Sequence, residues 1–163
     1  MCGACGGATA EWLEAFLSRG YERTVVASRL STLAAGFSVE THPAGWTLRS
    51  NGGATEFFGS PARLVAAAMG RPGAPSDAIG VERWVAGLSA HRPVEVRRDE
   101  VPPRHRETVP GPVLGGSDPR TSVNRLLGLL ASRSLPRAAF ARTLLRDGEG
   151  EWVFGLGITS APS

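Results

Sequence analysis

Residues Phe37 to Phe58 read FSVETHPAGWTLRSNGGATEFF, and this stretch decides the fold. Phe37, Val39 and Thr41 alternate with Ser38, Glu40 and His42. That is the period of two expected of a strand with one face buried and one solvated. Pro43-Ala44-Gly45 then supplies turn chemistry, and the alternation resumes with Trp46 and Leu48 against Thr47 and Arg49. Asn51-Gly52-Gly53 is a second tight turn, after which Ala54 to Phe58 forms a third strand. The pattern predicts a three-stranded antiparallel meander.

On the N-terminal side the period becomes helical. Thr9 is placed to cap a helix reaching Arg19, with Trp12, Leu13, Phe16 and Leu17 on one face and Gly20 as its stop. Tyr21 to Ala35 predicts a second helix, with Val25, Val26, Leu30 and Leu33 inward and Gly36 ending it. On the C-terminal side, Ser60-Pro61 reads as an N-cap followed by a first helical residue. Leu64, Val65, Ala68 and Met69 follow as an apolar face, and Gly70 ends that helix. Beyond the Pro/Gly stretch Arg71 to Pro75, Ser76 or Asp77 caps a further helix that buries Ile79, Trp84, Val85 and Leu88.

Residues 92–118 are irregular, with prolines at 93, 102, 103, 110 and 112. Val94 and Val96 allow one short strand there at most. Asp118-Pro119 starts another helix, whose stripe is Val123, Leu126, Leu127 and Leu130. Residues 136–146 fit either a helix or an extended segment. Asp147-Gly148-Glu149-Gly150 is a turn, and Trp152 to Ile158 is a strand that needs a partner, which favours a hairpin. The expected fold is α+β: small antiparallel sheets covered by helices, with the strand signals at 37–58 and 139–158 available to join into one sheet. Residues 1–8 are expected to form a mobile or metal-ordered arm. Residues 9–163 form a single domain with a Pro-rich excursion at 92–118.

Composition agrees with this organisation. A chain of 163 residues, 42% hydrophobic and 20% charged, can build one core. No apolar run approaches the ~20 residues of a membrane span. No basic region followed by an apolar one marks a signal peptide. The expectation is therefore a cytoplasmic protein without a membrane partner. The net charge is +3, and all 18 basic residues are arginine. Residues 1–60 balance four Arg against five acids, whereas residues 119–146 hold six Arg and no acid.

Cys2 and Cys5 are the only cysteines, three positions apart among small residues. Two such thiolates can hold a soft metal such as zinc, or close a small disulfide. Zinc wants four ligands, so the pair is half a site. His42 and His105 are the candidate additional ligands, with His91 the third histidine. The Met1-Cys2-Gly3 opening resembles the start of class II glutamine amidotransferases, in which Cys2 would be the N-terminal nucleophile once Met1 is removed. The resemblance covers Cys2 and Gly3 only, and Ala4 to Ala8 is not the apolar strand that such a start continues into. His105-Arg106-Glu107 resembles the H-x-E of zinc deaminases, with the order relative to the Cys pair reversed.

The basic stretch is the candidate nucleic-acid interface, with Arg125, Arg133 and Arg137 as phosphate contacts. At ~100° per residue, Arg125 and Arg133 lie about 80° apart and share a broad helix face, which Arg120 does not join. The four tryptophans are spread over separate blocks; buried they are core, exposed they mark an interaction surface. Taken together, these features favour a non-catalytic interaction or regulatory protein with an N-terminal CxxC metal half-site, working with a protein partner or as a homo-oligomer. The alternatives are nucleic-acid binding through residues 119–146, or a thiol-redox or other enzyme whose site forms only in three dimensions.

Overall fold

The structure is a computed structural model, and it describes residues 11–88, 113–114, 123–135, 140–147 and 150–157. The meander forms as the alternation predicts. Strands β1 (Phe37–His42), β2 (Gly45–Ser50) and β3 (Thr55–Phe58) pair antiparallel in that order. The register joins Val39 to Leu48, Thr41 to Trp46, and Trp46 to Phe58. Phe37, Val39, Trp46, Leu48 and Phe58 are buried on the inner face. Glu40, His42, Arg49 and Phe57 lie exposed on the outer one. Gly45 is required where β2 begins, because a side chain there would overlap the Phe58 carbonyl oxygen of the neighbouring strand.

Helices α1 (Glu11–Leu17) and α2 (Gly20–Leu30) precede the sheet. Gly20 opens α2 and does not terminate α1, which ends three residues earlier where the Ser18 hydroxyl donates to the Glu14 carbonyl at 2.7 Å. The second helix also stops at Leu30, short of the expected Ala35. Two hydroxyls account for that early end. Ser31 Oγ donates to Ala27 O at 2.9 Å, and Thr32 Oγ1 donates to Arg29 O at 2.7 Å. Ser31 Oγ also accepts from the Val39 amide at 2.8 Å, tying the end of α2 to the outer rim of β1. Gly36, at φ +96°, then turns the chain into the sheet.

Arg23, on α2, joins these two layers. Its Nε and Nη2 donate to the Ser18 carbonyl at 3.2 and 2.6 Å, and its Nη1 donates to the His42 and Pro43 carbonyls at 3.0 and 2.5 Å. The guanidinium lies 5.9 Å from the centre of the Trp46 ring, whose Nε1 donates to the Arg23 carbonyl at 2.9 Å. Trp46 is fully buried with its one polar atom satisfied. An aromatic that removes ~150–250 Å² from water at ~25 cal/mol per Å² stabilises by roughly 4–6 kcal/mol before entropy is counted.

Helix α3 (Pro61–Met69) starts as expected, with Ser60 Oγ accepting from the Arg63 amide at 3.3 Å. In α4 (Ala78–Gly87) the cap is Asp77, whose carboxylate accepts from the Gly80 amide at 2.7 Å. The phase set by this cap turns Val81 and Val85 inward. Ile79 lies about 200° of helix from Val81, and it is 66% exposed where the sequence pattern placed it in the core.

Helix α5 (Val123–Arg133) is buried from Val123 through Ser132, so the amphipathic stripe understates it. The reason is contact on both sides. α2, α3 and α4 pack against it, and so do β4 (Val113–Leu114) and β5 (Phe140–Asp147). The terminal hairpin of β5 with β6 (Gly150–Gly157) forms, with Phe140 opposite Gly157. It does not join the meander. It makes a second three-stranded sheet in which β4 runs parallel to β5, so this sheet is mixed where antiparallel pairing was expected. A β4–α5–β5 connection explains that direction, since parallel strands need a long crossover. The fold is α+β. The arm at 1–8, and the excursion at 92–118 apart from Val113 and Leu114, lie outside the described residues.

Candidate functional site

One side of α4 carries Arg83, Trp84 and Gly87, and Leu88 follows as its C-cap residue. Their i, i+3 and i+4 spacings stack them on one side of the helix. Opposite stand Arg29 and Thr32 from the end of α2. Between them is an open groove of about 260 Å³. Sequence reading missed it because it joins residues some fifty positions apart, through the early end of α2. The adjacent pair Arg83-Trp84 was the available local signal.

The groove's walls are held by a short hydrogen-bonded chain. Trp84 Nε1 donates to Thr32 Oγ1 at 3.2 Å, and Thr32 Oγ1 donates to the Arg29 carbonyl at 2.7 Å. Arg29 Nε donates to Asn124 Oδ1 at 3.2 Å, which anchors the arginine to the buried helix α5. Trp84 is half-buried and Arg83 is exposed. A Cβ added at Gly87, which also lines the groove, would meet nothing within 4 Å. Chemically, the lining offers guanidinium forks, an indole and an aliphatic side chain.

Of the site residues singled out from the sequence, His42, Arg125 and Arg133 are described, and none of them lines this groove. His42 is exposed at the end of β1; its Nδ1 accepts from the Ala44 amide at 3.1 Å, and its ring meets Phe57 edge-on with centroids 5.0 Å apart. A neutral imidazole that accepts at Nδ1 carries its proton on Nε2. Metal ligation by a neutral His42 through either ring nitrogen would therefore give up the Ala44 bond. Cys2, Cys5, His91 and His105 lie outside the described residues. Among the described residues no group of three or more His, Cys, Asp or Glu is placed to hold a metal ion. Arg125 is 4% exposed within α5, Arg133 is half-buried in its last turn, and Arg137 lies outside the described residues. The structure therefore does not bring Arg125 and Arg133 together on a solvated helix face. Among the described residues no helix is long and apolar enough to cross a membrane.

Comparison of the chain with protein-family models, with curated proteins and with solved structures found no match.

Proposed function

We propose that this is a non-catalytic interaction or regulatory protein that docks a protein partner through the groove between α2 and α4. The supporting observation is the convergence of Arg29, Arg83 and Trp84 on one open groove. Arginine and tryptophan supply a disproportionate share of binding energy at interfaces. Trp84 is held by Thr32 before any partner arrives, so little rotamer freedom remains to be lost on docking. Cys2 and Cys5 add a thiolate half-site for zinc to this reading, completed by a histidine or by another subunit.

The test of docking is affinity capture from the native cells with the wild-type protein and with Trp84→Ala, both folded by circular dichroism. A protein retained by the first, lost by the second, and re-bound in purified form is the expected result. Identical sets on both would refute docking at the groove. For the half-site, elemental analysis after purification under reducing conditions should find zinc that Cys2→Ser with Cys5→Ser removes. Zinc-free protein whose behaviour is unchanged by the double substitution would refute it.

A further inference from the structure

We infer that the edge of β3 pairs antiparallel with β3 of a second copy of this chain, in the register that sets Phe57 opposite the partner's Phe57. This surface is separate from the α2–α4 groove, and the pairing does not depend on docking there.

The backbone supplies the template. The Ser50 amide donates to the Ala54 carbonyl at 2.8 Å, so Ser50–Ala54, Leu48–Glu56 and Trp46–Phe58 are the hydrogen-bonded pairs of the β2–β3 ladder. Thr55 and Phe57 therefore turn their N–H and C=O groups away from β2. Among the described residues no strand lies beyond them. Thr55, Glu56 and Phe57 are all exposed, Phe57 by 52%. The Phe57 ring is positioned by His42, which meets it edge-on, and it lies over Gly59, where an added Cβ would stand 3.8 Å from its Cε1.

The side chains select the occupant and its register. Self-pairing brings the outward groups together when it is centred on Thr55, Glu56 or Phe57. Centring on Glu56 sets two carboxylates directly opposite in a non-hydrogen-bonded pair, with Cα atoms about 4.5 Å apart. Centring on Thr55 sets Phe57 against the partner's Gly53, which turns at φ +85° and is not extended. Centring on Phe57 opposes no like charges, because Glu56 then faces the partner's Phe58. The two Phe57 residues exchange both backbone hydrogen bonds, and their rings become cross-strand neighbours. Thr55 falls opposite the partner's Gly59, where the missing side chain leaves room beside the aromatic ring. Any extended segment matches the backbone; this combination of side chains commits the edge to its own copy. Two strands of 4 residues bury well under the ~1,200 Å² of stable complexes, so the dimer is reversible.

The experiment is sedimentation equilibrium of the full chain up to millimolar concentration, with and without a chelator. The variants are Phe57→Lys, Thr55→Pro and Ile79→Ser. Thr55→Pro deletes an outward N–H and no bond to β2. Ile79→Ser removes a still more exposed apolar side chain, on α4. A concentration-dependent dimer is expected, weakened about tenfold or more by Phe57→Lys and by Thr55→Pro and unchanged by Ile79→Ser. All variants should keep the wild-type circular dichroism spectrum. The register is read in a chain carrying Cys2→Ser and Cys5→Ser. There, with oxidised glutathione, Phe57→Cys should form a disulfide-linked dimer, since a hydrogen-bonded antiparallel pair holds its Cα atoms ~5.5 Å apart. Thr55→Cys should not, because this register keeps the two Thr55 positions ~13 Å apart. A monomer at millimolar concentration would overturn the inference. So would a dimer seen only without the chelator, one that Phe57→Lys and Thr55→Pro leave intact, one that Ile79→Ser abolishes, or cross-linking through Thr55→Cys in place of Phe57→Cys. None of these results bears on the groove, whose own test is Trp84→Ala.

Discussion

Replacing Arg23 with alanine removes the guanidinium that joins α1, α2 and the first hairpin. Four N–H donations to three carbonyls disappear, two of them part-buried at Ser18 and two exposed at His42 and Pro43. A net ~1 kcal/mol for each part-buried bond, a few tenths for each exposed one and ~0.5 kcal/mol for the contact over Trp46 sum to about 3 kcal/mol. In a domain of this size that lowers Tm by roughly 6–12 °C. Arg23→Lys keeps the charge but places one ammonium where a fork spans two segments, so it should recover less than half of the loss. Thermal and urea unfolding followed by circular dichroism measure both variants. An Arg23→Lys protein as stable as wild type would refute the spanning role and reduce Arg23 to a simple surface charge.

Gly45→Ala forces a methyl into the Phe58 carbonyl, and the β2–β3 pairing must separate to admit it. The expected loss is about 3 kcal/mol or more, seen as a lowered urea midpoint; wild-type stability would mean that the strands do not approach so closely. Ser31→Ala leaves the Val39 amide without its side-chain partner, at a cost of roughly 1–2 kcal/mol. Hydrogen exchange should quicken at Val39 well before it does at Leu48 on the central strand, and equal rates would show that Ser31 does not protect β1.

Where one residue type answered one local geometric demand, the sequence was legible. The turns at Pro43-Ala44 and Asn51-Gly52-Gly53, and the caps at Ser60 and Asp77, needed no distant partner to be read. What failed depended on contacts made across the chain. Ser31 ends α2 partly because β1 stands ready to use its hydroxyl, and nothing within residues 21–35 announces that. Arg125 read as a surface cation because a helix with arginines normally turns them outward; packing on both sides of α5 places it inside. Ile79 turned outward, and Val81, which the pattern had not singled out, turned inward in the helix phase that begins at the Asp77 cap. The groove was the least legible feature, since Thr32 and Trp84 acquire meaning only when they touch.

The Ser31 contact has a further consequence for the meander. The Val39 amide, which faces away from β2, is already engaged by Ser31, while among the described residues no strand lies beyond β3. The pairing pattern points the backbone groups of Thr55 and Phe57 away from β2, and the Phe57 ring is 52% exposed beside them. The ribbon is therefore uneven: a recruited strand finds more unengaged backbone at β3 than at β1. Two chains meeting there would each turn their Ser31-engaged β1 margins to the outside, where the occupied Val39 amide disfavours the addition of a further strand.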